Sequence, residues 1–255
     1  MIQAASWLAH RRVNPAAKLR LFCFPYSGAD ASLFYRWPES LPPGVEVCPV
    51  QLPGRGARIG EAPFTAIGPL VEACGTALTP FLDRPFALFG HSLGALVAFE
   101  LARWTRRRLA AEPAHLFVSA CGAPQLPDRE TAMHHLPDPE FLEALRRLNG
   151  TPEAVLAQPE LRDLILPILR ADFTICETYS YTEEPPLDCP LSAYGGLRDV
   201  HVGRDRLEAW RTQTARAFLV RMFPGDHFFL NSDRVLLLRV LALELHQIVA
   251  GRLRV

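Results

Sequence analysis

Apolar positions along the chain fall into two alternating patterns. Short continuous runs have the length of buried strands and stop at glycine, proline or serine. They are Leu19-Arg20-Leu21-Phe22-Cys23-Phe24, Val45-Glu46-Val47-Cys48-Pro49-Val50, Pro85-Phe86-Ala87-Leu88-Phe89, His115-Leu116-Phe117-Val118-Ser119-Ala120-Cys121, Leu191-Ser192-Ala193-Tyr194-Gly195-Gly196 and Ala217-Phe218-Leu219-Val220-Arg221-Met222-Phe223. Between them, apolar residues recur at spacings of three and four. Ile67, Leu70, Val71, Cys74, Leu78, Phe81 and Leu82 predict a helix over 67–82. A second helix begins at the glycines after the third run and ends on Arg106-Arg107-Arg108, positive charge where the helix dipole favours it. Ser32 to Trp37 reads as the start of a helix, a further one is expected over about 205–214, and a leucine-rich closing helix over about 234–252. Strands alternating with helices predict an α/β protein with a mostly parallel central sheet and helices on both faces.

The alternation lapses from about residue 125. Pro137-Asp138-Pro139-Glu140 opens a helix carrying Phe141, Leu142, Leu145 and Leu148, Asn149-Gly150 closes it, and Leu161 to Tyr179 is helical around Pro167. No run in this block reads as a strand. Helices inserted between consecutive strands of such a sheet form a lid over the pocket. The expectation is one domain over 1–255 with a helical lid of about 125–185 inserted in it. The apolar residues of this block serve equally for plain packing, and none is singled out as a substrate contact.

Composition narrows the function classes. The 27 basic and 27 acidic residues cancel to a formal net charge of +0, so neither nucleic acid nor an anionic membrane is an expected partner. Cys23, Cys48, Cys74, Cys121, Cys176 and Cys189 lack CxxC spacing, and several lie in apolar runs; they read as reduced thiols of a cytoplasmic protein. Met1 to Trp7 has no basic segment before a long apolar stretch, and no uncharged apolar run of about 18 residues occurs, so neither export nor membrane insertion is expected. Arg55 and Arg58, in a Pro/Gly-punctuated loop, allow phosphate binding but read more naturally as structural or solvated arginines.

The chemistry centres on Gly90-His91-Ser92-Leu93-Gly94, which joins the third run to the helix after it. A strand, a sharp turn and a helix in that order force the central residue into a strained conformation, and the flanking glycines remove side chains that would collide. A bare Gly-x-Ser-x-Gly does not separate an exposed nucleophile from an ordinary turn serine. Two further residues do. Asp199 stands just beyond the fifth run and His227 just beyond the sixth, which gives the serine, acid, base order of α/β-hydrolases. A serine hydroxyl needs an imidazole to take its proton and a carboxylate to fix that imidazole's tautomer, roles assigned to His227 and Asp199. His91 is expected to turn away from Ser92, and the remaining histidines lack a strand-end glycine turn. Asp226, adjacent to His227, is poorly placed to reach the far ring nitrogen, so Asp199 is preferred to it, and to Asp205 and Asp188. The backbone N–H of Leu93 and that of Ser27, in the glycine-containing loop after the first run, are the candidate oxyanion donors.

With these residues in place the chain resembles the type II thioesterases, stand-alone editing hydrolases of polyketide and nonribosomal peptide synthesis. The resemblance rests on Phe24-Pro25-Tyr26-Ser27-Gly28, Leu52-Pro53-Gly54-Arg55, Phe89-Gly90-His91-Ser92-Leu93-Gly94-Ala95, Leu169-Arg170-Ala171-Asp172-Phe173 and Gly225-Asp226-His227-Phe228-Phe229. Two positions depart from the commoner family form: Tyr26-Ser27-Gly28-Ala29 replaces a frequent His-Ala-Gly-Gly, and Arg198 stands where a second acid often precedes the aspartate. The resemblance implies an α/β-hydrolase fold and hydrolysis of acyl thioesters on the phosphopantetheine arm of an acyl or peptidyl carrier protein. It calls for no metal or organic cofactor. A monomer is the default expectation. The alternatives are a lipase or carboxylesterase acting on free oxygen esters, a product-releasing thioesterase, and a catalytically silent hydrolase fold serving as an interaction module.

Overall fold

The apolar runs become strands because each is short, rich in branched and aromatic side chains and bounded by turn residues. A computed structural model describes residues 6–127 and 132–251; Met1 to Ala5 and Arg252, which entered the readings of the N-terminus and the closing helix, lie outside them, as do residues 128–131 of the inserted block. The strands are β1 (Leu19–Phe24), β2 (Val45–Pro49), β3 (Phe86–His91), β4 (His115–Ser119), β5 (Leu191–Gly196) and β6 (Phe218–Phe223). They form a six-stranded sheet in the order β2-β1-β3-β4-β5-β6 with every pairing parallel. β1 to β5 are buried at every position, as a sheet covered on both faces requires, whereas the edge strand β6 is buried only at Phe223.

Helices α1 (Ile67–Leu78) and α2 (Leu93–Leu109) cover one face, where Leu70, Cys74, Val97 and Leu101 pack with Phe22, Leu88 and Val118. On the other face Leu237, Leu241 and Leu245 of the closing helix meet Leu21, Phe89 and Phe117. Between β4 and β5 lie α3 (Asp138–Leu148), α4 (Glu153–Leu156) and α5 (Pro159–Thr178). These three have a small core of their own, with Phe141, Leu145, Leu156, Leu166 and Leu169 buried together. No residue of this block is in a named strand among the described residues. The chain then forms α6 (Arg204–Glu208), α7 (Phe229–Ser232) and α8 (Arg234–Val249). The triple arginine ends α2 as expected: Arg106 and Arg107 pair with Glu184, and Arg108 with Glu72.

Three expected helices are shorter than their sequence pattern: the one expected over 67–82 ends as α1 at Leu78, and a 3-10 turn, Thr79–Phe81, follows at Pro80. Ser32 to Trp37 yields only single 3-10 turns, Ala31–Phe34 and Trp37–Glu39. Pro38 has no N–H to bond the carbonyl four residues back, and Phe34 and Trp37 instead bury completely against Phe89. Likewise 205–214 divides into α6 and a 3-10 segment, Ala209–Gln213, around fully buried Trp210.

The sheet order reverses between β1 and β3, and a crevice at the strand ends is expected at such a point. Two glycines let the chain turn there. A Cβ at Gly90 would lie 2.0 Å from the Gly94 carbonyl oxygen, and one at Gly94 would lie 2.2 Å from the Phe24 oxygen and 2.6 Å from the Pro25 oxygen. The first turn of α2 thus rests on the backbone at the exit of β1. Those neighbours are main chain and cannot swing aside. Gly94→Ala is expected to lower stability by roughly 3 kcal/mol or more, despite alanine's better helix propensity. Urea denaturation of the variant beside the parent checks this, and an unchanged midpoint would refute the close-approach account.

Candidate active site

Ser92 occupies the one position between β3 and α2, and its backbone shows the cost: φ 54° and ψ −121°, a conformation that a non-glycine residue adopts only when its surroundings enforce it. The enforcement is visible. The Ser92 N–H donates to the Ser119 carbonyl at the end of β4 at 2.8 Å, and the Ser92 carbonyl accepts from Ala95 at 2.9 Å in the first turn of α2. Leu93, next along, stands at the helix start, where N–H groups have no intrahelical partner.

Asp199 and His227 come from the exits of β5 and β6, which are laced together. Leu197 N–H donates to Phe223 O at 2.7 Å and Arg198 N–H to Gly225 O at 3.0 Å. His227 Nδ1 lies 2.9 Å from Asp199 Oδ2, and Asp199 Oδ1 accepts the backbone N–H groups of His201 at 2.9 Å and Val202 at 3.1 Å. The Asp199 side chain is 0% exposed. Burial works against its charge, but the hydrogen bond and charge of His227 and the two backbone N–H groups outweigh it, holding the carboxyl below its ordinary value. The neighbouring acids are engaged elsewhere: Asp226 accepts the Phe228 N–H at 2.8 Å, and Asp188 pairs with Arg216 at the surface.

His91 turns into the protein, as expected, but it is not idle. Its Nε2 lies 2.9 Å from the carbonyl oxygen of His227 and its Nδ1 2.9 Å from Ser119 Oγ. A carbonyl only accepts, so Nε2 carries the proton and Nδ1 accepts from the serine hydroxyl. Full burial, with the nearby His227, pushes the His91 pKa down to about 3, so the ring stays neutral. It anchors the backbone of His227 from beneath. Sequence reasoning missed this role because nothing local to the pentad tells where a residue 136 positions later will pass.

Ser92 and His227 share the wall of a cavity of about 560 Å³, and Ser27 and Leu93 line it too. Its far side comes from the inserted helices, with Leu145, Leu169, Phe173 and Cys176. Arg55, open in the sequence between ligand and scaffold, is scaffold: it makes a buried bidentate pair with Asp172 of α5, at 2.5 and 2.7 Å. Arg58 is also buried, holding Glu61 and the Gln51 carbonyl beside the Trp7 ring.

A parallel sheet of this order, with a strained serine between β3 and its helix and a carboxylate–imidazole pair at neighbouring strand ends, defines an α/β-hydrolase. Within that class the chain belongs to the thioesterase family, whose Thioesterase domain model matches residues 19–242. It is a hydrolase acting on thioester bonds. It is 46% identical over 251 residues to the gramicidin S biosynthesis protein GrsT of Aneurinibacillus migulanus, covering 98% of each chain. Among solved structures it is similar to the RedJ thioesterase of the prodiginine pathway in Streptomyces coelicolor, with 45% identity, a TM-score of 0.85 and coverage of 91% of this chain and 92% of that one. The type II thioesterase BorB of the borrelidin biosynthetic cluster matches with 36% identity and a TM-score of 0.85, over 94% and 98% of the two chains. Among the described residues no helix is long and apolar enough to cross a membrane.

The neutral, buried His91 makes stability pH-dependent. Unfolded, its imidazole takes a proton near pH 6.5, whereas folded it resists protonation to about 3. Its contribution is therefore complete above about pH 6.5 and is lost progressively as pH falls toward 3. His91→Gln is expected to lose stability more gently on acidification, by about 1 kcal/mol per pH unit below about pH 6. Urea unfolding of both proteins at several pH values measures the two slopes, and equal slopes would contradict a neutral His91.

Proposed function

We propose that Ser92 is the nucleophile, His227 the general base, Asp199 the carboxylate that orients it, and the backbone N–H groups of Leu93 and Ser27 the oxyanion hole of an editing thioesterase. Its substrates are acyl groups held as thioesters on the phosphopantetheine arm of acyl or peptidyl carrier proteins of polyketide or nonribosomal peptide synthesis. The observation that carries this reading is the Asp199–His227 hydrogen bond beside Ser92 in one cavity whose far wall belongs to the helical insertion. With Nδ1–H donated to Asp199, Nε2 is the basic nitrogen and takes the serine proton as Oγ attacks the thioester carbonyl.

Donor assignment in the first loop follows from which N–H groups are already used. Gly28 donates to Asp172 at 2.8 Å and Ala29 to the Tyr26 carbonyl at 3.0 Å, so neither is the donor, and Ser27, which lines the cavity with Ser92, is assigned to the oxyanion. The tetrahedral intermediate collapses with loss of a thiolate, a leaving group with a pKa near 8.5 in cysteine-like cases, so His227 has less protonation work than in amide hydrolysis. Water activated by the same histidine then hydrolyses the acyl-Ser92 ester. The single domain over 1–255 carries residues of about 125–185 as a lid, and the Leu145, Leu169 and Phe173 side chains form an apolar seat for the acyl chain. The free cysteines suit a cytoplasmic protein, and a monomer suffices because nucleophile, base and acid all come from one chain.

A fluorophosphonate is expected to label the folded enzyme once, at Ser92, and Ser92→Ala to abolish labelling. Asp199→Asn is expected to lower kcat by about 10³–10⁴-fold. Labelling that survives Ser92→Ala would overturn the assignment. Comparing kcat/KM for acyl-loaded carrier protein, the matching soluble thioester and the matching oxygen ester tests the substrate class, with the carrier-bound thioester expected to be preferred. A preference for oxygen esters would replace the editing reading with an esterase.

A further inference from the structure

The oxyanion loop after β1 is held from the lid side. Leu169, Asp172 and Cys176 are spaced three and four apart, so they lie along one stripe of α5. Each of the three touches or crowds the loop. The Asp172 carboxylate accepts the Gly28 N–H at 2.8 Å; Leu169 stands where a Cβ on Gly28 would come within 2.5 Å of its Cδ2; and the Cys176 thiol neighbours the Ser27 side chain. Gly28 itself has φ +80°, a left-handed conformation open to glycine. Arg55, from the loop after β2, completes the clamp with both guanidinium nitrogens on Asp172. Gln51 braces the far end of the loop, its Oε1 accepting the Ala31 N–H at 3.3 Å.

Energetics argue that this cluster is more than packing. The Arg55 and Asp172 side chains are 4% and 1% exposed, and burying two charges costs several kcal/mol of desolvation for each ion before their attraction repays it. Apolar residues of similar volume are often as stable or more so, so a buried pair is weak evidence for stability. What apolar residues lack is a charged acceptor aimed at one peptide N–H. That acceptor fixes the peptide plane between Ser27 and Gly28 and consumes the Gly28 donor. The Leu169 and Cys176 side chains that grip the loop also line the cavity, so one helix shapes the acyl seat and sets the oxyanion donor.

We propose that Arg55 and Asp172 are positioning residues for catalysis: bridging the β2 loop and α5, they clamp Gly28 so that the Ser27 N–H faces the oxyanion formed at Ser92. Neither touches the reacting atoms. The inference rests on the assignment of Ser92 and Ser27 made above. A displaced donor weakens the transition state and leaves ground-state binding nearly intact, so the loss falls on kcat rather than KM.

The test uses the Arg55→Met/Asp172→Leu double variant, Asp172→Asn, and parent enzyme, each assayed with a soluble acyl thioester and titrated with an alkyl boronic acid and with a non-hydrolysable acyl thioether. The double variant is expected to fold with a melting temperature near the parent's, to lose about 10- to 100-fold in kcat with KM changed less than about threefold, and to lose boronate affinity in parallel while thioether affinity holds. Asp172→Asn keeps an oxygen for the Gly28 N–H and is expected to retain more activity than the double variant. If the double variant does not fold, Arg55→Gln/Asp172→Leu, which likewise takes the acceptor from the Gly28 N–H, decides by the same readouts. A folded double variant with unchanged kcat and boronate affinity would overturn the proposal, as would a loss confined to KM. Failure of the underlying assignment is distinguishable: turnover would then persist in Ser92→Ala, whatever the Arg55 and Asp172 variants do.

Discussion

The contact on which the site depends is the approach of α2 to the exit of β1. Gly94 sits so near the Phe24 and Pro25 carbonyls that no side chain fits, and this places the start of α2 directly against the first loop. The strained backbone of Ser92 follows from it, because a strand and a helix that meet within one residue leave that residue no relaxed conformation. The same contact brings the orphan N–H groups of the helix start beside the loop that carries Ser27. The position of Ser92 and its nearness to the first loop are therefore consequences of a single packing constraint at the point where the strand order reverses.

Around that constraint the electrostatics are divided between two buried groups. Asp199 is held charged, since its two oxygens accept three donors; His91 is held neutral, since its burial is complete and its two nitrogens are satisfied without a second proton. The first holds the ring of His227 through Nδ1, and the second fixes its backbone. The exits of β5 and β6 hold the two loops in register: a Cβ on Gly196 would lie 2.3 Å from the Asp226 carbonyl oxygen, so the acid's strand and the histidine's turn are in backbone contact.

Strands β1 to β5 were legible because strands buried on both faces read as short, largely apolar runs, and the edge strand β6, buried only at Phe223, was legible from an apolar run that stops at Pro224-Gly225. Helix extents were less so. Apolar spacing alone does not register that Pro38 removes a donor or that Phe34, Trp37 and Trp210 bury better when the chain leaves the helical path. The placement of Ser92, Asp199 and His227 at strand ends was legible because each follows an apolar run, and the structure pairs Asp199 with His227 and puts His227 and Ser92 in one cavity. The contacts of His91 and Arg55 were not legible. Each takes its role from a partner far along the chain, 136 positions away for the carbonyl under His91 and 117 for the carboxylate on Arg55.

The sequence by itself determined the layered α/β architecture, the helical insertion, the turn at Ser92 and the thioesterase family, since periodicity, turn chemistry and motif order are local properties that survive without knowledge of contacts. Only the tertiary structure decided which tautomer His91 holds, that its ring reaches the His227 carbonyl, and that Asp172, on a helix of the insertion, spends its carboxylate on Arg55 and the Gly28 peptide. Those are choices among competing donors and acceptors. They are made by distance, and distance between remote residues exists only once the sheet has brought its strand ends together.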